Sequence, residues 1–97
     1  MRVNICGVMH DVIENEDSFE ADVTRFGVIN YGQAKIVINN NLTDETKKET
    51  LCHEMVHGML FHLGYEELSV DEKFVQALGN AIYQGFDIIE YEDKETE

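Results

Sequence analysis

His53 and His57 stand four residues apart inside a stretch, Leu51 to Leu63, that is apolar nearly all the way round a helix. Leu51, Cys52, Met55, Val56, Met59, Leu60, Phe61 and Leu63 leave such a helix no wide polar face, so it must lie in the middle of whatever the chain folds into. The two histidines are therefore carried inside the structure. With 3.6 residues per turn, residues four apart project from nearly the same face, about 6 Å apart along the axis. Two imidazole nitrogens placed that way can meet one zinc ion at about 2.0–2.1 Å. Glu54 points roughly 100° round from His53, beside such a metal rather than at it. A carboxylate there can hold and deprotonate a metal-activated water, whose pKa zinc lowers to about 7. The bland alternative is a pair of core histidines satisfied by hydrogen bonds, with Glu54 in a salt bridge.

A catalytic zinc needs a third protein ligand and an open position. His62 is five residues past His57, about 140° away on the same helix, and cannot reach the same ion. A second helix is expected from Ser69, because Ser69-Val70-Asp71-Glu72 has the form of a capping box. A turn at Gly64–Leu68 would bring that helix back beside the histidines. Glu72 is the expected third ligand, having the longer reach, with Asp71 in reserve. The competing role for Glu72 is the capping box itself. Phe74, Val75, Leu78, Ile82 and Phe86 are the expected apolar stripe of this helix. His10 is expected at the surface.

Ahead of the histidines the pattern reads as strands. Arg2–Cys6 and Val8–Ile13 flank Gly7 and form a short hairpin. Glu14–Thr24 is acidic and irregular, a loop or a weak helical turn. Arg25–Asn30 and Gln33–Asn39 read as a second hairpin turned by Asn30-Tyr31-Gly32, with Gly32 supplying a positive φ. Ile36 and Ile38 alternate with Lys35 and Val37, as on a strand with one buried face. The motif helix is expected to begin after Thr43, with Thr43 or Asn41 as N-cap, and to stop at Gly64. The fold class is thus α+β, a small antiparallel sheet followed by two packed helices, the first carrying the motif. The expected domain is residues 1–89, with 90–97 an acidic flexible tail.

Twenty acids against seven bases give a formal charge of -13 over 97 residues. That field repels nucleic-acid phosphates and anionic lipid heads, so neither nucleic acid nor membrane is an expected partner. The first residues lack the apolar run of a secretory signal, and no stretch approaches transmembrane length. Cys6 and Cys52 form no C-x-x-C pair and read as reduced thiols, which places the chain in the cytoplasm. Cys52 is expected to be a small buried apolar residue rather than a ligand.

Thr50-Leu51-Cys52-His53-Glu54-Met55-Val56-His57-Gly58-Met59-Leu60 and Asp71-Glu72-Lys73-Phe74-Val75-Gln76-Ala77-Leu78 resemble the minimal gluzincin metallopeptidases, the ImmA/IrrE-like proteins of phages and mobile elements. The resemblance covers roughly positions 25 to 85. It implies zinc on His53, His57 and Glu72, Glu54 as catalytic base, and a sheet in front of the motif helix. One strand of that sheet, here Gln33–Asn39, would align a peptide substrate. The metzincin extension fails, since positions 60 and 63 are both Leu. A likeness to rRNA-maturation endoribonucleases fails where Phe61 and Glu67 replace histidines.

The expected activity is therefore zinc-dependent hydrolysis of peptide bonds in a peptide or protein substrate. The alternative is an acidic binding protein on the same scaffold, with structural zinc and a basic host or phage partner.

Overall fold

The strands form where β-branched residues alternate with polar ones. The computed structural model describes residues 1–15 and 25–93. Strands β1 (Arg2–Ile5), β2 (Val8–Glu14), β3 (Gly27–Asn30) and β4 (Lys35–Ile38) are followed by helices α1 (Asp44–His62), α2 (Glu66–Ser69) and α3 (Glu72–Gly85). The expected loop at Glu14–Thr24 falls almost wholly outside the described residues. Among the described residues no helix is long and apolar enough to cross a membrane.

The fold is α+β, but the sheet is mixed rather than antiparallel. Its order is β1-β2-β4-β3. β1–β2 and β3–β4 are antiparallel hairpins, whereas β2 and β4 pair in parallel, Val12 opposite Ile36. β4 takes an interior place because both of its isoleucines are buried under α1, with Ile36 fully covered. Inserting β4 between β2 and β3 forces the parallel pairing. It also leaves β3, not Gln33–Asn39, as the strand on the edge beside the motif helix. In the β3–β4 turn the left-handed residue is Ala34, with φ 50, and Gly32 is not left-handed.

α1 starts where Thr43 Oγ1 accepts the amide N–H of Thr46, and its chain reverses at Gly64, φ 87, a conformation glycine adopts without strain. One face packs on the sheet through Leu51 and Met55, which join Val3, Ile5, Ile36 and Ile38 in the main core. The other packs on α3, where Val56, Leu60 and Val75 form a second cluster. At about 25 cal/mol per Å² of apolar surface, such burial is the main favourable term in a chain this small.

The second helix departs from its expected start. Ser69 ends the one-turn α2, and Asp71 is the N-cap of α3, accepting the Phe74 amide at 3.1 Å. A carboxylate directly before the first turn outcompetes the longer Ser–Glu box, and Glu72 is left free of capping. Of the expected stripe, Val75 is buried and Ile82 packs on it, while Phe74, Leu78 and Phe86 are exposed. The helix is rotated to bring Gly79 against α1, where a larger residue would need the backbone of His53 to shift.

His10 is not at the surface. It pairs with Val3 across the hairpin, shares that residue's inward face and is fully buried. Residues 90–93 are not a free tail either. Tyr91 exchanges two 2.8 Å backbone hydrogen bonds with Arg2, and Arg2 Nε donates to the Glu92 carbonyl. Asp93 takes the terminal amine of Met1. The C-terminal chain thus covers part of the outer edge of β1, an edge that would otherwise invite pairing.

Candidate metal centre

Three side chains from two helices meet at one point. α1 presents His53 and His57, one turn apart, and the first turn of α3 presents Glu72. His53 Nε2 lies 3.1 Å from Glu72 Oε2, His57 Nε2 lies 3.0 Å from Glu72 Oε1, and the two Nε2 atoms are 3.2 Å apart. Among the described residues this is the group of three or more histidine, cysteine or acidic side chains whose ligand atoms converge, all within 4.8 Å of one another. Asp71, spent as the cap of α3, is not in it. His62 and His10 are also elsewhere: their rings meet edge to face, 5.6 Å between centroids, under the far end of α1.

The tautomers follow from what holds the other ring nitrogens. His57 Nδ1 faces the Ser69 carbonyl, which can only accept, so Nδ1 carries the hydrogen. His53 Nδ1 lies 2.7 Å from Gln76 Oε1, and the amide nitrogen of Gln76 donates to Asn80 Oδ1 at 3.3 Å, so this nitrogen also donates. Neutral imidazoles with Nδ1 protonated present bare lone pairs at Nε2. In that form two lone pairs and a carboxylate would face one another, whereas a protonated ring would donate from Nε2 to Glu72. A cation satisfies the first arrangement, and the outward Nδ1–H donors are the supports that histidine ligands of zinc ordinarily have. The donor set, two imidazoles and one carboxylate with an open side, fits zinc.

Two groups of this support, Ser69 and Gln76, were not among the residues expected at the site. Ser69 acts through its backbone carbonyl, which any residue would supply. Its hydroxyl donates to the His57 carbonyl at 3.2 Å, so the Tyr31 hydroxyl, 3.2 Å from Ser69 Oγ, must be the donor of that pair. Gln76 was legible in principle, being one turn beyond Glu72 on the same face of α3.

The centre opens on a cleft of about 400 Å³, walled by β3 from Gly27 to Ile29, by Tyr31 and by Arg25. Glu54 lines it beside the histidines and is 6 % exposed. Its Oε2 is buried with no hydrogen-bond partner. Burial pushes the Glu54 carboxyl above the ordinary carboxylate range. The two imidazoles pull it back, Glu72 adds to the rise, and Arg25 opposes it. Glu54 thus brings to the cleft wall a carboxyl group with one unpartnered oxygen, a group able to accept a proton. Tyr31 is the tyrosine that lines the cleft; Tyr65 is exposed elsewhere and Tyr83 lines a separate cavity. Cys52 is buried and Cys6 exposed, both free, and neither belongs to the cluster.

No family model matches the chain, and no curated protein or solved structure matches it.

Proposed function

We propose that the chain is a zinc-dependent metallopeptidase of the minimal gluzincin kind, with His53, His57 and Glu72 as metal ligands and Glu54 as general base. The observation that carries this reading is the convergence of the two Nε2 atoms and the Glu72 carboxylate in a cleft that also takes in Glu54, whose Oε2 has no hydrogen-bond partner. A site built only to hold a structural metal has no use for that bare carboxylate oxygen.

Zinc, when bound, supplies a Lewis acid that polarises the peptide carbonyl and makes water acidic enough to lose a proton near neutral pH. Glu54 accepts that proton, and a carboxyl raised by burial accepts it more readily than an exposed one. The water oxygen adds to the carbonyl carbon, the carbon–nitrogen bond breaks, and Glu54 returns the proton to the departing amine. Tyr31 lines the cleft wall and gives its O–H to Ser69 Oγ, so it would have to turn from Ser69 to donate to the oxygen that gains negative charge. Among the described residues no strand pairs with the outer edge of β3, and that edge offers main-chain partners to an extended peptide, the role the family resemblance would have given to β4.

The test is hydrolysis of a general peptide library by zinc-loaded wild type and Glu54→Gln. Cleavage that needs both zinc and Glu54 supports the reading. A zinc-loaded wild type that cleaves nothing returns the chain to the alternative, an acidic protein that binds a basic partner.

A further inference from the structure

The cleft continues into a hollow at each end of β3, and the two hollows differ in charge. At the start of the strand a hollow of about 250 Å³ shares Gly27, His53 and Glu54 with the cleft and adds Phe26, Glu49, Thr50 and Gln76. At the strand's end another, of about 490 Å³, shares Val28, Ile29 and Tyr31 and adds Asn30, Gln33, Lys35 and Val37. The first hollow and the cleft lie on the α1 side of β3, beside the candidate metal centre, whereas the second lies toward the outer face of the sheet, where Lys35 and Val37 alternate with the buried Ile36 and Ile38.

Glu49 is the charged residue that the first hollow adds, and Lys35 the one that the second adds. Both are half-buried, and among the described residues neither forms an ion pair. Asp11, opposite Lys35 across the β2–β4 pairing, is exposed and forms no ion pair with it. Phe26 stands 47 % exposed at the wall of the first hollow. An aromatic face beside a carboxylate suits a long cationic side chain, whose methylenes cover the ring while its charge meets the acid. The overall charge of -13 draws basic peptides toward the molecule. Arg25, the cation that lines the cleft itself, lines neither hollow.

Resting on the peptidase reading, we propose that the substrate is an extended peptide with a lysine or arginine on one defined side of the scissile bond. That side chain sits in the Phe26–Glu49 hollow. Glu49 is a specificity residue rather than a catalytic one, because it reaches the substrate's flank and not the reacting atoms.

The experiment uses the zinc-loaded full chain and quenched-fluorescence peptides. Each peptide carries Lys, Ala or Glu at one position to either side of a fixed apolar pair. Cleavage is expected on a constant side of lysine, with kcat/KM about tenfold above the alanine peptide and lower still for glutamate, the worth of one well-placed ion pair. The preference should shrink as salt rises. Glu49→Lys should turn the order at that position to favour glutamate, and Glu49→Gln should flatten it. Equal rates with lysine on either side, or an unchanged order in Glu49→Lys, would overturn the proposal and leave a peptidase without charge preference. A zinc-loaded wild type that cleaves no member of the panel, alanine peptides included, would overturn the peptidase reading and this inference with it.

Discussion

Glu72 and Asp71 are adjacent acids with different work, and the difference is measurable. Asp71 accepts the Phe74 amide as the cap of α3, whereas both oxygens of Glu72 face the histidines. Glu72→Gln should weaken zinc binding strongly, since the amide is a poor metal ligand, and should scarcely change the melting temperature of the metal-free protein. Asp71→Asn keeps a good cap and should leave zinc affinity within a few fold. Isothermal titration with zinc decides: loss in Asp71→Asn but not in Glu72→Gln would reverse the assignment. One residue further out, Gln76→Ala removes the acceptor that fixes His53, for which a loss of about 10- to 100-fold in zinc affinity is expected. Glu54→Gln should retain the metal and the fold while hydrolysis falls by about 10²- to 10⁴-fold. Loss of zinc in that variant would make Glu54 structural. His53, Glu54 and His57 were legible because helix spacing alone puts them on adjoining faces. Glu72 was legible as a candidate only, because its freedom depends on which residue caps α3. Tyr31 could not be chosen among the tyrosines without the turn that brings it to the cleft.

At the scale of elements, the position of α3 on α1 sets the distance from Glu72 to the histidines. A Cβ at Gly79 would come within 3.2 Å of His53 Cα and 3.3 Å of its amide nitrogen, backbone atoms that would have to shift by a few tenths of an ångström to admit it. Gly79→Ala should therefore push α3 outward, destabilising the fold by about 1–3 kcal/mol and weakening zinc binding at the same time. Gly85→Ala is the control on the same helix. A Cβ there meets nothing, so helix propensity should make it neutral or stabilising by up to about 1 kcal/mol, with zinc affinity unchanged. Thermal melts and zinc titrations of the two variants test this, and equal behaviour would contradict the close-packing account. Both hairpins and α1 could be read from the sequence, since alternation, turn residues and the Thr43 cap are local signals. The parallel β2–β4 pairing could not, because it depends on which strand wins the interior place. His10 was misjudged for a related reason: strand alternation puts it on the core face opposite Val3, but a histidine's polarity argued for the surface.

Across the whole molecule, the candidate metal centre ties separate parts of a small fold together. α1 contacts the sheet with one face and α3 with another, and the centre lies at the second of these seams. Zinc that binds only the folded chain adds RT ln(1 + [Zn]/Kd), about 4 kcal/mol at a thousandfold excess over Kd, so a chelator should lower the melting temperature of wild type and not that of His57→Ala. The most direct measurement is X-ray absorption at the zinc edge on the zinc-loaded chain, with metal content determined on the same sample. One zinc per chain is predicted, with two imidazole nitrogens and oxygen neighbours at about 2.0–2.2 Å and no sulfur, and no bound zinc in His53→Ala or His57→Ala. A spectrum with sulfur at about 2.3 Å, one without imidazole scattering, or full zinc occupancy in both histidine variants would contradict the assignment of His53, His57 and Glu72.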